Sequence, residues 1–294
     1  MKQCAPDIGD SLLTCFSYSQ LKNIAINYNT SLSKTNKAVT NSHKLNPEIK
    51  LHNNKKRLWN SIYDKMKYQC NNEKCWIDKS SALTSKHTYL NNFRPDTPSV
   101  WKQNPAEWLT NHDIQAVMIQ YEKKYRNFKF IGVFPIDFDH KIYMNTCVSQ
   151  ELCNLDINQL GSRKQLGVIF NTDKHDAAGS HWVAVYIGLN PDKQFGFFYY
   201  DSNANLASPY IIKLYNKLKK QLQPKLKNKF KMFTNNVKHQ FKNSECGMFS
   251  MHFLINMMEN KDTFVEFINK PINDSMMADK RKIYYYPSSG GKST

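Results

Sequence analysis

One helix near the C-terminus can be stable only inside a folded core. Residues 248–258 contain no Asp, Glu, Lys or Arg, and their large apolar side chains cover every side of a helix. These side chains are Phe249, Met251, Phe253, Leu254, Ile255, Met257 and Met258. A helix that is apolar all round is surrounded by other elements rather than by water. The sequence therefore predicts a central buried helix with helices and strands packed around it.

Five short segments upstream are rich in apolar and aromatic residues, which is typical of strands. They lie at 128–134, 166–170, 182–187, 196–200 and 230–234. The segments at 182–187 and 196–200 are nearly continuous apolar runs, which indicates strands covered on both faces. Two helices accompany them, one capped by Asn111 or Asp113 and one basic and amphipathic at 209–222. This mixture predicts an α+β fold.

The first 100 residues differ in composition from the rest of the chain. They are polar, rich in Lys, Asn and Ser, and poor in long apolar runs. Apolar residues at helical spacing predict amphipathic helices at 18–28 and around 56–66, with a polar connection at 31–54. Such helices bury little surface alone, so we expect a mainly helical arm, 1–100, that packs on something larger. The main domain is then 101–294.

The charge of the chain is strongly positive. It has 41 Lys and Arg residues against 24 Asp and Glu residues, a net charge of +17. Such a charge favours association with polyanions such as nucleic acid, or with an acidic partner, although many lysine-rich surfaces are only solvated. We expect contacts with nucleic acid to be non-specific and made through phosphates.

The sequence shows no sign of export or membrane insertion. No apolar run approaches the roughly 20 residues that a membrane-spanning helix needs, and the start lacks the pattern of a secretory signal. We therefore expect a soluble protein of a reducing, intracellular compartment, with its seven cysteines as free thiols.

One cysteine pair has a spacing that zinc sites occasionally use. Cys70 and Cys75 are separated by four residues, and the nearest further ligands are His52 and His87. We predict no metal site there and no cofactor elsewhere. The remaining cysteines outside the candidate site are expected to be structural or incidental. They are Cys4, Cys15, Cys147 and Cys153.

Cys246 is the candidate nucleophile. It lies between a polar stretch and the buried helix, where the helix dipole and free backbone N–H groups favour a thiolate. Gly247 removes a side chain at the point where a substrate would approach. A cysteine at the start of an apolar helix is, however, more often part of the core.

The thiol needs a histidine to accept its proton. His181 precedes the apolar strand at 182–187, and strand ends are places where scaffolds present catalytic groups. His175 is the local rival, although it lies in a polar loop where we expect it to be solvated. His239 and His252 lie near the cysteine in sequence, and His252 is expected to pack on the helix.

The histidine needs an orienting group, and the reaction needs an oxyanion donor. Asp201 ends a strand of aromatic residues, so it either caps the next turn or partners His181. Gln240 precedes the cysteine by six residues, and its amide could return to the thiol and donate to an oxyanion.

The order His181-Trp182, Asp201, Gln240 and Cys246-Gly247 resembles the ubiquitin-like-protein (SUMO) protease and adenovirus protease clan of cysteine peptidases. The likeness is greatest to the polyprotein-processing protease of African swine fever virus type in large DNA viruses. It covers about residues 100 to 260. In that viral relative an Asn stands where this chain has Asp201.

The resemblance implies both a fold and residue roles. The fold is a papain-like-clan core with a mixed central sheet, flanking helices and the nucleophile at the start of a buried helix. Cys246 would be the nucleophile, His181 the general base, Asp201 its orienter and Gln240 an oxyanion donor. Trp182 would roof a narrow cleft and, with Gly247, bind substrate.

The resemblance also implies a function: cleavage of viral structural polyproteins after small residues, at sites such as Gly-Gly-X, in the virion and host cytoplasm. Gly290-Gly291-Lys292 would suit self-processing, although a flexible tail is the simpler interpretation. Two alternatives stay open: a deconjugase for ubiquitin-like modifiers, and an inactive basic protein that binds nucleic acid or has a structural role. The sequence assigns no oligomeric state.

Overall fold

The computed structural model describes residues 4–8, 13–38, 48–80 and 83–286. The chain divides into two compact units, one formed by residues 1–97 with those from 285 onward, and one formed by 98–284. The sequence prediction instead assigned all of 101–294 to one domain. Tyr286 joins the first unit because it exchanges backbone hydrogen bonds with Pro95 and Thr97. The predicted self-processing site, Gly290-Gly291-Lys292, lies outside the described residues.

The first unit is helical. Its helices are α1 (Tyr18–Ala38), α2 (Lys55–Met66), α3 (Glu73–Lys79) and α4 (Lys86–Leu90). They surround a core in which the Phe16 ring contacts those of Trp76, Tyr89 and Phe93. Helix α1 is longer than predicted and takes up part of the segment that was expected to be a connection.

The prediction of free thiols is wrong for six of the seven cysteines. The disulfides are Cys4–Cys15, Cys70–Cys75 and Cys147–Cys153. Their Cα atoms lie 5.2, 5.4 and 6.4 Å apart, within the range that a disulfide spans. Sequence spacing alone does not report these separations, so the prediction rested only on the expected compartment. Cys70 and Cys75 therefore do not form a thiolate zinc site.

The second unit is built on a five-stranded mixed sheet in the order β1-β2-β3-β4-β5. The strands are β1 (Phe128–Pro135), β2 (Gln165–Asn171), β3 (Trp182–Gly188), β4 (Gly196–Tyr200) and β5 (Met232–Thr234). The two outer pairs are parallel, and the pairs β2–β3 and β3–β4 are antiparallel. Every residue of β3 and β4 is buried, as the apolar runs predicted. The α+β prediction is confirmed.

Seven helices complete the second unit in its described residues. They are α5 (Asn111–Lys124), α6 (Gln150–Cys153), α7 (Pro209–Gln221), α8 (Pro224–Lys227), α9 (Cys246–Met258), α10 (Phe264–Ile268) and α11 (Asp274–Tyr284). The cap of α5 is Thr110, not Asn111 or Asp113; Asp113 instead forms a reciprocal capping box with Thr110. No helix in the described ranges is long and apolar enough to cross a membrane.

Helices cover both faces of the sheet. Helix α9 is the predicted buried helix: its Phe253 ring stacks on Tyr200 of β4 at 4.8 Å, and its Leu254 lies against Gly167 of β2. Helix α7 packs on the opposite face through Ile211, Leu214 and Leu218. The start of α9 is thereby held beside the ends of β3 and β4.

Candidate active site

Cys246 is the first residue of α9 and is buried. All seven cysteines lie within the described ranges, and Cys246 is the one outside the disulfides. The first N–H groups of a helix have no partner within it. The N-cap residue, Glu245, makes no side-chain capping hydrogen bond. The thiol therefore lies where backbone donors are available to a developing negative charge.

His181 and Asp201 form a hydrogen-bonded pair at the ends of neighbouring strands. His181 precedes β3, Asp201 follows β4, and His181 Nε2 lies 2.7 Å from Asp201 Oδ1. Burial lowers the pKa of His181, but hydrogen bonds to Asp201 and Cys246, with the charges of those groups, raise it to about 9. Because Asp201 occupies Nε2, Nδ1 is the nitrogen left to exchange a proton with Cys246.

Asp201 is held by Asn235, a residue that was not predicted to belong to the site. Its backbone N–H donates to Asn235 Oδ1 at 2.8 Å, and Asn235 Nδ2 donates back to the Asp201 carbonyl at 2.7 Å. The Asn203 N–H donates to the carboxylate itself at 2.8 Å. These contacts fix the carboxylate of Asp201, whose side chain is 1% exposed. An Asn just after a short strand carries no sequence signal for this role.

Gln240 belongs to a hydrogen-bonded loop between β5 and α9. Its side-chain oxygen accepts from Ser202 Oγ, and its Nε2 donates to the Lys242 carbonyl, both at 2.6 Å. An amide nitrogen has two hydrogens, so one Nε2–H is not used by the Lys242 contact. The buried carboxylate of Asp274, at the start of α11, accepts from the backbone N–H groups of Phe241 and Lys242.

Trp182 lies close to Gly247. The Trp182 indole donates to the Leu109 carbonyl at 3.0 Å. A Cβ on Gly247 would lie 3.0 Å from Leu109 Cδ1 and 3.3 Å from Trp182 Cδ1. Glycine at this position thus makes room for the tryptophan and the leucine, which is a different reason from the predicted space for substrate.

Two openings flank the candidate residues. A cleft of about 770 Å³ is lined by Trp182, Trp108, Thr110 and the loop after β2 up to Gly179. A smaller pocket of about 370 Å³ is lined by His181, Asp201 and the segment before α7. Consecutive residues at a strand end point to opposite sides, which explains why His181 and Trp182 line different openings.

A buried ion pair precedes the cysteine. Arg281 Nε lies 2.9 Å from a Glu245 carboxylate oxygen, and both side chains are less than a tenth exposed. The guanidinium also donates to the carbonyls of Glu107 and Ser244, and it lies 4.2 Å from the Trp101 ring centroid. The pair draws the Glu245 carboxylate away from the helix start, where it would otherwise bind the free N–H groups. No local sequence pattern predicts this pair, because 36 residues separate its members.

The other candidate histidines have different surroundings. His252 bonds Tyr284, and burial lowers the pKa of His252 to about 3. His239 lies between the Tyr200 hydroxyl and the Ile268 carbonyl. His175 is exposed, as expected, and its Nδ1 lies 2.7 Å from the buried carboxylate of Asp137, which holds the cleft loop in place. Within the described ranges, no three His, Cys, Asp or Glu side chains cluster as metal ligands would.

A thiol at the start of a buried helix, an imidazole and a carboxylate on one mixed sheet are characteristic of cysteine proteases, and the chain is an enzyme of this class. By sequence, the chain belongs to the family whose model is described as YopJ serine/threonine acetyltransferase. This model matches residues 116–288.

The named relatives are viral proteases. The chain is 28% identical to a thiol protease of Acanthamoeba polyphaga mimivirus, over 92% of this chain and 89% of the relative. It is 24% identical to the SUMO-1 cysteine protease of African swine fever virus, over 76% of this chain and 85% of the relative. The crystal structure of the African swine fever virus protease has the same fold, with a TM-score of 0.63, 20% identity and coverage of 98% of this chain and 96% of that one. The predicted resemblance and the predicted protease activity are confirmed.

Proposed function

We propose that Cys246 is the nucleophile of a peptide hydrolase and that His181 is its general base. His181 Nδ1 takes the thiol proton, and the sulfur attacks the carbonyl carbon of the scissile bond. The same nitrogen returns the proton to the leaving amine, which departs and leaves a thioester. Water then attacks the thioester, His181 accepts its proton, and the acid product and the free thiol are released.

Two further groups support this reaction. Asp201 holds the imidazole in position and stabilises its protonated form, as the 2.7 Å contact and the raised pKa of His181 indicate. The backbone N–H of Cys246 and the remaining Nε2–H of Gln240 would donate to the oxyanion. The His181–Asp201 contact beside Cys246 is the observation that carries the proposal.

We infer that the substrate is a viral structural polyprotein cleaved after small residues such as those of a Gly-Gly-X site. The viral proteases named above support this class of substrate. The surroundings of Gly247 support the size preference, because Trp182 and Leu109 leave no room for a Cβ at the residue next to the cysteine. The second unit, 98–284, contains every residue of the proposed site.

Two other reactions fit the same thiol chemistry: one differs in its substrate and the other in the group that attacks the acyl-enzyme. The African swine fever virus relative is named for SUMO-1, which supports a deconjugase as the alternative. The family model is described by acetyl transfer, in which a hydroxyl would replace water as the attacking group. Both routes share the acylated cysteine, so the acceptor distinguishes them.

We place the protein in the virion after assembly and in the host cytoplasm before it. Its viral relatives support this location. The three disulfides favour the virion, because disulfides persist there and are reduced in a cytosol.

The experiment offers the full-length protein three substrates in parallel. They are a Gly-Gly-X peptide, a ubiquitin-like protein conjugate ending in Gly-Gly, and acetyl-CoA with a hydroxyl-bearing protein acceptor. We expect hydrolysis of the peptide, and its loss in Cys246→Ala and His181→Ala. His87→Ala, which removes an exposed histidine of the first unit, is the matched control and should keep full activity. Turnover that survives in Cys246→Ala would reject the mechanism, whereas conversion of the conjugate or acetyl-CoA alone would reject the polyprotein substrate.

A further inference from the structure

The positive charge is concentrated in one stretch of the chain. Residues 202–244 contain ten lysines and no Asp or Glu, so they carry +10 of the net +17. Eight of the ten lie between the start of α7 and the start of β5. We call these eight the lysine face: Lys213, Lys217, Lys219, Lys220, Lys225, Lys227, Lys229 and Lys231.

The fold presents the lysine face to solvent. Helix α7 buries Ile211, Leu214 and Leu218 against the sheet, so its polar side points outward. The chain after α7 is anchored by Phe230, which is fully buried and stacks on Tyr215. The lysines of α7, of α8 and of the turn before β5 therefore belong to elements packed on the same face of the sheet.

A second chain segment brings a further lysine to this surface. A cavity of about 860 Å³ lies between α7 and the loop closed by the Cys147–Cys153 disulfide. Lys141, from the segment that precedes that loop, lines the cavity together with Lys213, Lys217 and Lys220. The one carboxylate in the lining belongs to Asp139.

Few of these charges are neutralised by the protein. Among the described residues, Lys213 pairs with Asp139, Lys217 donates to backbone carbonyls, and Lys219 donates to a tyrosine hydroxyl. No ion pair within the described ranges involves the other five lysines of the face: Lys220, Lys225, Lys227, Lys229 and Lys231. Like charges held together repel each other, so this arrangement favours an anionic partner.

We propose that the lysine face binds the phosphate backbone of double-stranded nucleic acid. The five lysines without an ion pair in the described ranges supply the positive charge for this contact. A nucleic acid strand presents one phosphate per about 3.4 Å of its axis, so closely spaced lysines can meet neighbouring phosphates of one strand. Binding of this kind is independent of base sequence.

The composition of the face favours a duplex over the other polyanions. Single-stranded nucleic acid is bound by stacking its bases on exposed aromatic rings. Of the three rings in α7 and the turn before β5, Tyr215 and Phe230 stack on each other, and Tyr210 packs against the apolar core. An acidic protein would be expected to meet a contact surface with apolar and arginine anchors, whereas lysine is depleted in such interfaces.

The test measures binding of the full chain to a fluorescent 20-base-pair DNA of arbitrary sequence, by anisotropy at several salt concentrations. One variant has Gln in place of four exposed lysines of the face: Lys220, Lys225, Lys229 and Lys231. All four are among the five lysines that have no ion pair in the described ranges. A matched variant carries Gln in place of four exposed lysines of the first unit: Lys22, Lys50, Lys56 and Lys79. Both variants lose four positive charges. Hydrolysis of the Gly-Gly-X peptide by each variant checks that the variant is folded.

We expect the unmodified chain to bind with an affinity that falls steeply with salt. The variant of the lysine face should reduce the slope of log affinity against log salt by about 3 to 4, since each phosphate contact contributes about 0.9. The matched variant should reduce it by less than about 1. Equal losses in both variants would show a dependence on net charge alone and would overturn the proposal. Binding of poly-glutamate or of single-stranded DNA in preference to the duplex would also overturn it.

Discussion

Replacement of Arg281 by methionine is expected to lower both the stability and the activity of the protein. Arg281 and Glu245 are buried, and their atoms approach to 2.9 Å. Removing one member of such a pair leaves an uncompensated buried charge, which costs about 3 to 5 kcal/mol. The freed Glu245 carboxylate should turn toward the N–H groups at the start of α9 and compete with the oxyanion.

The double variant Arg281→Met/Glu245→Gln separates the charge from the other contacts of the arginine. It leaves no charge buried, but it still lacks the hydrogen bonds to Glu107 and Ser244, each worth about 1 kcal/mol. We therefore expect it to recover about half of the lost free energy of unfolding and most of kcat.

Urea unfolding without reductant and kcat for the Gly-Gly-X peptide measure the two effects. Lys282→Met is the control, because it removes the neighbouring charge from an exposed ion pair with Asp279 and should cost less than about 1 kcal/mol. The reasoning fails if the double variant is no more stable and no more active than Arg281→Met. It also fails if Arg281→Met matches the control.

Three further variants test the proposed site. Asp201→Asn keeps an acceptor oxygen but removes the negative charge that helps to raise the pKa of His181 to about 9. The alkaline limb of kcat/KM should therefore move to lower pH, and an unchanged limb would exclude the pairing. The same raised pKa predicts that stability due to protonated His181 is complete below about pH 6.5 and is lost as pH rises through about 9, which unfolding at several pH values would measure. Gly247→Ala should lower kcat/KM on the order of tenfold, because its Cβ would press on Trp182 at 3.3 Å; wild-type kinetics would show that the contact relaxes freely. Gln240→Ala should lower kcat on the order of 10²-fold if its amide donates to the oxyanion, and a change confined to KM would assign it to substrate binding.

The elements of the second unit were largely predictable from hydrophobic periodicity. The buried helix and all five strands lie within two residues of their predicted bounds, because burial of a face is encoded in consecutive residues. The short helices α10 and α11 were not predicted, since five to eleven residues of mixed character carry a weak periodic signal. The cap of α5 was misplaced by one residue because Thr110 and Asn111 are both acceptable caps.

The sequence by itself determined which residue types are available to a thiol reaction and in what order, and it indicated the ends of the strands and of the helix that carry them. Only the tertiary structure decided which side chains meet: the cysteine pairs, Asn235 with Asp201, and Arg281 with Glu245. The physical reason is that periodicity records which face of each element is buried. The distance between two side chains on different elements depends on how those elements pack, and no local pattern contains that distance.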